Sequence, residues 1–344
     1  MSETPEQISA LFSKLAGGAV LTAPEARGLF RAAFEGKIAR REIRTLLLLL
    51  AARGETVPEI DGCRQAIRDL EPPEPLACAH LMDTCGTGGD GRRTFNISTV
   101  AALVAAGAGG RIAKHGNRAI TSQCGSSDLM EALGVSLGAS RECMMRSIEE
   151  HGIGYFHAPN HHPVFMRMHG IRTELKRRTI FNLLGPLLNP LEIRYQLMGV
   201  PKETLVPAYA ALLSRSGLEK AVVCHSTDGL DEISSGAPSR LAVVLKGKVR
   251  YQTLDPAAYG FSRCKPDRYR GGDVSVNRGI ALDLLEGRGR GPILEVILLN
   301  AAVALWISEV ADTIEQGLAK AEQAVRSGQA REALAGLVRS SNKP

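Results

Sequence analysis

The sequence predicts an α/β protein: a small all-helical N-terminal domain and a larger α/β domain with a central, mostly parallel sheet, joined by hinges. Three observations carry this. The first seventy residues read as capped helices. The segment Glu71-Pro-Pro-Glu-Pro75 cannot continue a helix and reads as a boundary. Beyond it, short apolar runs alternate with glycine turns and helical stretches.

Each element has a local cause. Thr22-Ala-Pro-Glu25 is a capping box, with Pro24 in a first turn that needs no N–H there. Phe30, Ala33 and Phe34 then recur at helical spacing. Ile43, Leu46, Leu47 and Leu50 mark a further helix, which Gly54 stops. Thr56-Val-Pro-Glu59 opens another toward Leu70. Strands are expected at Leu81-Met82, Arg111-Ile112-Ala113, Ala221 to Cys224 and Leu241 to Leu245. Val100 to Ala106 reads as a helix. Pro292 to Ile307, apolar nearly all round, reads as a helix through the centre of a domain.

Composition narrows the class. At 344 residues the chain fits one large or two modest domains, and 44% hydrophobic with 23% charged residues is ordinary for a globular protein. A net charge of +6 suits a mildly basic surface, an anionic substrate or a weak nucleic-acid field. The seven cysteines include no Cys-x-x-Cys pair, which argues against a disulfide framework or a structural zinc and fits a reducing cytoplasm. The apolar stretches are shorter than the roughly 20 residues of a membrane span. Glu3, Glu6 and Lys14 near the start argue against a signal peptide.

Chemistry concentrates between Asp83 and Asp128. Gly86, Gly88 and Gly89 follow an expected strand, and their amides suit an anion nest. The spacing matches neither a Walker loop nor a dinucleotide fingerprint. Ser98 or Thr99 is the expected cap of the helix that follows, a natural phosphate position. Lys114-His115-Gly116-Asn117-Arg118 is expected after the next strand, at the mouth of a site. Thr121, Ser122, Ser126 and Ser127 add hydroxyls around Gly125. Farther on, Asp231 and Glu232 place adjacent carboxylates near a strand end. They fit either a solvated acidic turn or a magnesium site that bridges to a polyphosphate.

Several stretches in this order resemble the anthranilate phosphoribosyltransferase family: Gly86-Thr-Gly-Gly-Asp90, Asn96-Ile-Ser-Thr99, Lys114-His-Gly-Asn-Arg118, Gly125-Ser-Ser-Asp128, Phe156-His-Ala-Pro159, Arg178 to Pro190 and Asp228-Gly-Leu-Asp-Glu232. The resemblance covers essentially the whole chain. It implies transfer of the phosphoribosyl group of phosphoribosyl pyrophosphate to anthranilate, in tryptophan biosynthesis. It also implies a nucleoside phosphorylase-like fold, two magnesium ions per subunit, a cytoplasmic homodimer formed through the helical domain, and no membrane or nucleic-acid partner.

The same resemblance assigns the site. Gly86, Gly89, Asp90, Thr94, Asn96, Ile97, Ser98, Thr99, Lys114, Ser122 and Ser126 would hold phosphoribosyl pyrophosphate. Gly86, Asn117 and Arg172 would hold anthranilate. Ser98, Asp231 and Glu232 would hold metal. Lys114 would be catalytic, and His115 is the candidate for proton handling, against backbone positioning or acceptor packing. The small domain would span 1–75 with 165–195 added, leaving 76–164 and 196–344 for the large one. Gly170 stands where proline is common in the family, beside the acceptor position. His157, His161, His162 and His169 fit no metal-ligand spacing and read as loop and pocket residues. The competing readings are a pyrimidine nucleoside phosphorylase and a non-catalytic paralogue that binds nucleic acid.

Overall fold

A computed structural model describes residues 4–119 and 123–343. The chain forms two compact units, Met1–Glu74 with Pro159–Pro190, and Pro75–Ala158 with Leu191–Pro344.

The first unit is helical: Pro5–Ala16, Ala23–Phe34, Arg40–Arg53, Val57–Leu70 and Pro163–Leu175, with a short turn at Phe181–Leu184. Its helices start where the capping residues stand. The Glu25 carboxylate accepts the Thr22 N–H at 2.7 Å, and Gly54 ends its helix at φ 92. Gly62 lets two helices touch, since a Cβ there would lie 2.5 Å from the Ala23 carbonyl oxygen. Leu29, Phe30, Phe34, Leu46, Leu47, Leu50 and Ile67 are buried, and Phe181 meets both Phe30 and Phe34.

The second capping box does more than cap. The fully buried Glu59 accepts N–H groups from Leu21 and Thr56, each at 3.0 Å, and pairs with Arg53. Burial alone would raise its pKa, but Arg53 and the two amides outweigh it and hold the carboxyl below its ordinary value.

The returning segment is Pro159–Pro190 where 165–195 was expected. Polar ties set these limits. Glu71 takes His162 Nδ1 at 3.0 Å and the Val164 N–H at 2.7 Å, and the Glu74 N–H donates to the Pro190 oxygen at 2.9 Å. Leu191 already packs in the core of the other unit.

The second unit holds a seven-stranded sheet. Its strands are β1 (Leu81–Gly86), β2 (Arg111–Gly116), β3 (Ile153–His157), β4 (Tyr195–Gly199), β5 (Lys220–Ser226), β6 (Ser239–Leu245) and β7 (Lys248–Leu254). Their order is β3-β2-β1-β4-β5-β6-β7; β3 through β5 pair in parallel, and β6 and β7 are antiparallel. The helices Ile97–Gly107 and Pro292–Ile307 run through its core, buried on most sides. From β1 the chain winds outward through β2 to β3, then returns to β4 on the other side of β1. The β1–β4 pair is thus the topological switch point, where open α/β sheets leave a crevice at the strands' carboxyl ends.

Three local expectations need correction. β1 and β2 run on through Gly86 and Gly116, so Asp83 to Gly86 and Lys114 to Gly116 lie inside strands. The helix expected to be capped by Ser98 or Thr99 begins at Ile97, with Asn96 as its N-cap. The Asn96 carbonyl already accepts the Thr99 and Val100 N–H groups, each at 3.2 Å, which puts Ser98 and Thr99 in the first turn.

Candidate active site

Glycines make the site possible. Gly86 and Gly199 end β1 and β4 side by side. A Cβ on Gly199 would stand 1.5 Å from the Asp231 carbonyl oxygen, and one on Gly86 would lie 3.4 Å from Asp231 Oδ2. Hydrogen at both positions lets the Asp228–Glu232 segment lie directly on the strand ends. The chain after Gly86 then turns: Thr87 N–H donates to the Gly199 oxygen at 3.0 Å, and Gly88 and Gly89 take φ 65 and 91. Asp90 Oδ1 accepts the Arg92 N–H at 3.0 Å, while its buried Oδ2 has no partner among the described residues. Thr94 pairs with Arg270 in an isolated bridge.

The helix N-terminus meets the acidic segment here. Ser98 N–H donates to Glu232 Oε1 at 3.2 Å. Ile97 and Thr99 are buried, and Ser98 is half-buried. Lys114 is almost fully buried in β2, and its Nζ donates to the Thr84 carbonyl at 2.6 Å. Burial pushes the Glu232 carboxyl up to about 7, with Lys114 opposing the shift. Burial, then the charges of Asp90 and Glu232, raise Asp231 well above the usual carboxylate range. A cation would relieve this repulsion, and oxygen donors suit magnesium. Among the described residues no group of three or more His, Cys, Asp or Glu side chains is placed to hold a metal ion.

His115 follows Lys114 in β2, with its backbone N–H on Asp83 Oδ1 at 3.2 Å. At the end of β2, Ser126 Oγ accepts the Asn117 N–H at 3.2 Å and contacts the Tyr155 hydroxyl at 3.0 Å. A Cβ on Gly116 would lie 2.3 Å from each of those oxygens, so this corner needs glycine. Ser127 continues the chain to His157 Nδ1 at 2.8 Å. Arg118 is paired with Asp128 and Glu131, and Asp128 also accepts the Ala119 and Gly125 N–H groups, so this charge run folds the loop. Thr121 and Ser122 lie outside the described residues.

Arg172 belongs to the helical unit. Its guanidinium carbon lies 5.8 Å from the Phe165 ring centre and 5.5 Å from that of Phe181. Burial lowers its pKa, and no carboxylate pairs with it among the described residues. In the same unit His162 bonds Glu71 and the Leu188 carbonyl.

Known proteins share this chain's fold. The model of the glycosyl transferase family a/b domain matches residues 78–331, and that of the family's helical bundle domain matches residues 4–70. Anthranilate phosphoribosyltransferase 2 of Streptomyces coelicolor is 43% identical over 310 residues, covering 90% of this chain and 92% of its own. The Thermomicrobium roseum anthranilate phosphoribosyltransferase is 43% identical over 331 residues, covering 95% of each. The chain belongs to the anthranilate phosphoribosyltransferase family. The crystal structure of anthranilate phosphoribosyltransferase from Thermus thermophilus superposes with TM-score 0.87 at 36% identity, covering 96% of this chain and 99% of its own. The Saccharomyces cerevisiae enzyme in complex with PRPP and Mg superposes with TM-score 0.87 at 25% identity, covering 98% of each.

Within this family member, sequence reasoning missed three supporting residues. Gly199 sits in a plain strand ending, and nothing local marks its contact with Asp231. Asn300 takes the Ile233 N–H at 3.2 Å and donates to the Ile233 oxygen at 2.8 Å, clamping the acidic segment. A lone amide in the apolar run Leu298-Leu-Asn-Ala301 was its available signal. Asn277 reaches Asn96 from 181 positions away. Among the described residues no helix is long and apolar enough to cross a membrane.

Proposed function

We propose that this chain transfers the phosphoribosyl group of phosphoribosyl pyrophosphate to the amine of anthranilate, releasing pyrophosphate in a step of tryptophan biosynthesis. The carrying observation is the half-buried carboxylate pair Asp231 and Glu232, with Asp231 lying against Gly86 and Gly199 at the ends of β1 and β4, the sheet's switch point. Its relatives carry the same activity in their names.

Asp231, Glu232 and Ser98 would hold magnesium, two ions per subunit on the family's pattern. When bound, magnesium supplies positive charge to the pyrophosphate oxygens. The chain's own groups do the rest. Gly86, Gly89, Asp90, Thr94, Asn96, Ile97 and Thr99 form the cradle, with Ser126 at the start of the helix Ser126–Ala132 and, on the family's pattern, Ser122 added. Helix Ile97–Gly107 directs its N-terminus at the phosphates. Lys114 stands beside this cradle, so its charge gains most as the leaving group becomes more negative. The anomeric carbon passes through an oxocarbenium-like state. Arylamine nitrogen is neutral near pH 7, so the acceptor needs orientation more than deprotonation. Arg172 takes its carboxylate and Asn117 its polar edge. Homodimerisation through the helical unit belongs to the same reading, and sedimentation of the purified protein tests it.

The test is loss of anthranilate fluorescence with phosphoribosyl pyrophosphate and magnesium. Turnover is expected, and Asp231→Asn with Glu232→Gln should abolish the magnesium-dependent rate while the fold persists. Phosphorolysis of thymidine or uridine without magnesium would overturn the reading, as would salt-dependent DNA binding with no turnover.

A further inference from the structure

Asn96 caps helix Ile97–Gly107, yet its side chain bonds none of that helix's N–H groups. An N-cap asparagine ordinarily turns its oxygen onto the first turn. Here the amide is held sideways by the loop at Cys124 and by Asn277 in the helix Val274–Leu285, both distant in sequence. Asn96 Nδ2 donates to the Cys124 carbonyl at 3.0 Å. Its Oδ1 accepts from Asn277 Nδ2 at 2.9 Å, and Asn277 Oδ1 accepts the Gly272 N–H at 2.7 Å.

The direction of this chain is forced from both ends. A backbone N–H only donates, so the Asn277 atom facing Gly272 is oxygen. Its nitrogen must then face Asn96, which has to answer with oxygen. That turns the Asn96 nitrogen to Cys124, whose carbonyl only accepts. No flip of either amide preserves the bonds. Asn277 is nearly fully buried, and Gly271 makes room for it, since a Cβ there would lie 2.6 Å from Asn277 Oδ1. The surrounding strap is itself fastened: Phe95 N–H donates to the Tyr269 oxygen at 2.8 Å and Gly271 N–H to the Arg93 oxygen at 3.1 Å.

We propose that Asn277 is a positioning residue for the donor substrate, fixing the Asn96 amide so that its remaining N–H is presented as a donor to the phosphoribosyl pyrophosphate. The inference rests on the reading of Gly86 to Thr99 as the donor cradle. Asn277 itself touches no reacting atom. Its effect falls on donor binding, and the acceptor is untouched.

Asn277→Asp tests this with little change of shape. The carboxylate still accepts from Gly272 but sets an oxygen against Asn96 Oδ1, which must turn away. The KM for phosphoribosyl pyrophosphate should rise on the order of tenfold, the loss of one oriented hydrogen bond. The KM for anthranilate and kcat at saturating donor should hold. Calorimetric binding of phosphoribosyl pyrophosphate with magnesium, without acceptor, should weaken by the same factor. Asn277→Ser, which removes the contact without adding charge, should weaken donor binding in the same direction, and it serves if the first variant does not fold. Unchanged donor binding in a folded variant overturns the proposal, as does a parallel rise in both KM values. If the unaltered protein itself binds no phosphoribosyl pyrophosphate, the functional reading falls first and the proposal with it.

Discussion

Replacing Arg172 with alanine is the sharpest test of the acceptor assignment. The guanidinium lies near two phenyl rings, 5.8 and 5.5 Å from their centres, and burial already makes its charge costly. With no protein carboxylate to offset that cost among the described residues, a bound carboxylate is its natural counter-ion. Loss of a charged hydrogen bond is worth about 1.5–3 kcal/mol, or roughly a 10- to 150-fold rise in the KM for anthranilate. The ring contacts add about 0.5–1 kcal/mol each to folding, so thermal stability should fall only modestly. Arg172→Lys should recover part of the binding, because an ammonium keeps the charge but not the two-pronged geometry. Aniline, which lacks the carboxylate, supplies the control in the same assay. It should react as slowly with the variant as with the unaltered protein. An unchanged anthranilate KM, or an equal loss with aniline, would refute the carboxylate–Arg172 pairing.

Gly199→Ala should destabilise the sheet unit by about 1–3 kcal/mol or more, because the Asp231 backbone must move; thermal denaturation with a magnesium titration should show a lower midpoint and a higher metal requirement. Glu59→Gln should cost the helical unit about 1–3 kcal/mol by replacing the fully buried charged acceptor of Arg53 and of the Leu21 and Thr56 N–H groups with a neutral amide. The pH dependence follows from Glu59's depressed pKa. Its contribution is present above the ordinary 4.5 and is lost as pH falls through the lower folded value. Acid unfolding of the unaltered protein should therefore steepen below about pH 4.5, and the variant's profile should be flatter there; coincident profiles would rule out this role.

The helical unit was the more legible half. Thr22, Glu25, Gly54 and Thr56 act within a few residues of themselves, so local pattern suffices. Strand ends were less legible. Lys114 and His115 looked like a loop because they are polar, yet β2 carries them inside because Thr84 and Asp83 on β1 supply their partners. Ser98 and Thr99 looked like caps by residue type. Asn96 took that place because Asn277 and Cys124 hold it there.

The sequence by itself determined the two-part α/β architecture, the glycine loop and the pairing of Asp231 with Glu232. All are written in composition and short spacing. Only the tertiary structure decided what surrounds them. Gly199 under Asp231, Asn300 on Ile233 and Asn277 on Asn96 are contacts between segments dozens to nearly two hundred positions apart. Their physical cause is the parallel sheet, which gathers strand ends from distant parts of the chain at one switch point, where no local pattern records which neighbour will arrive.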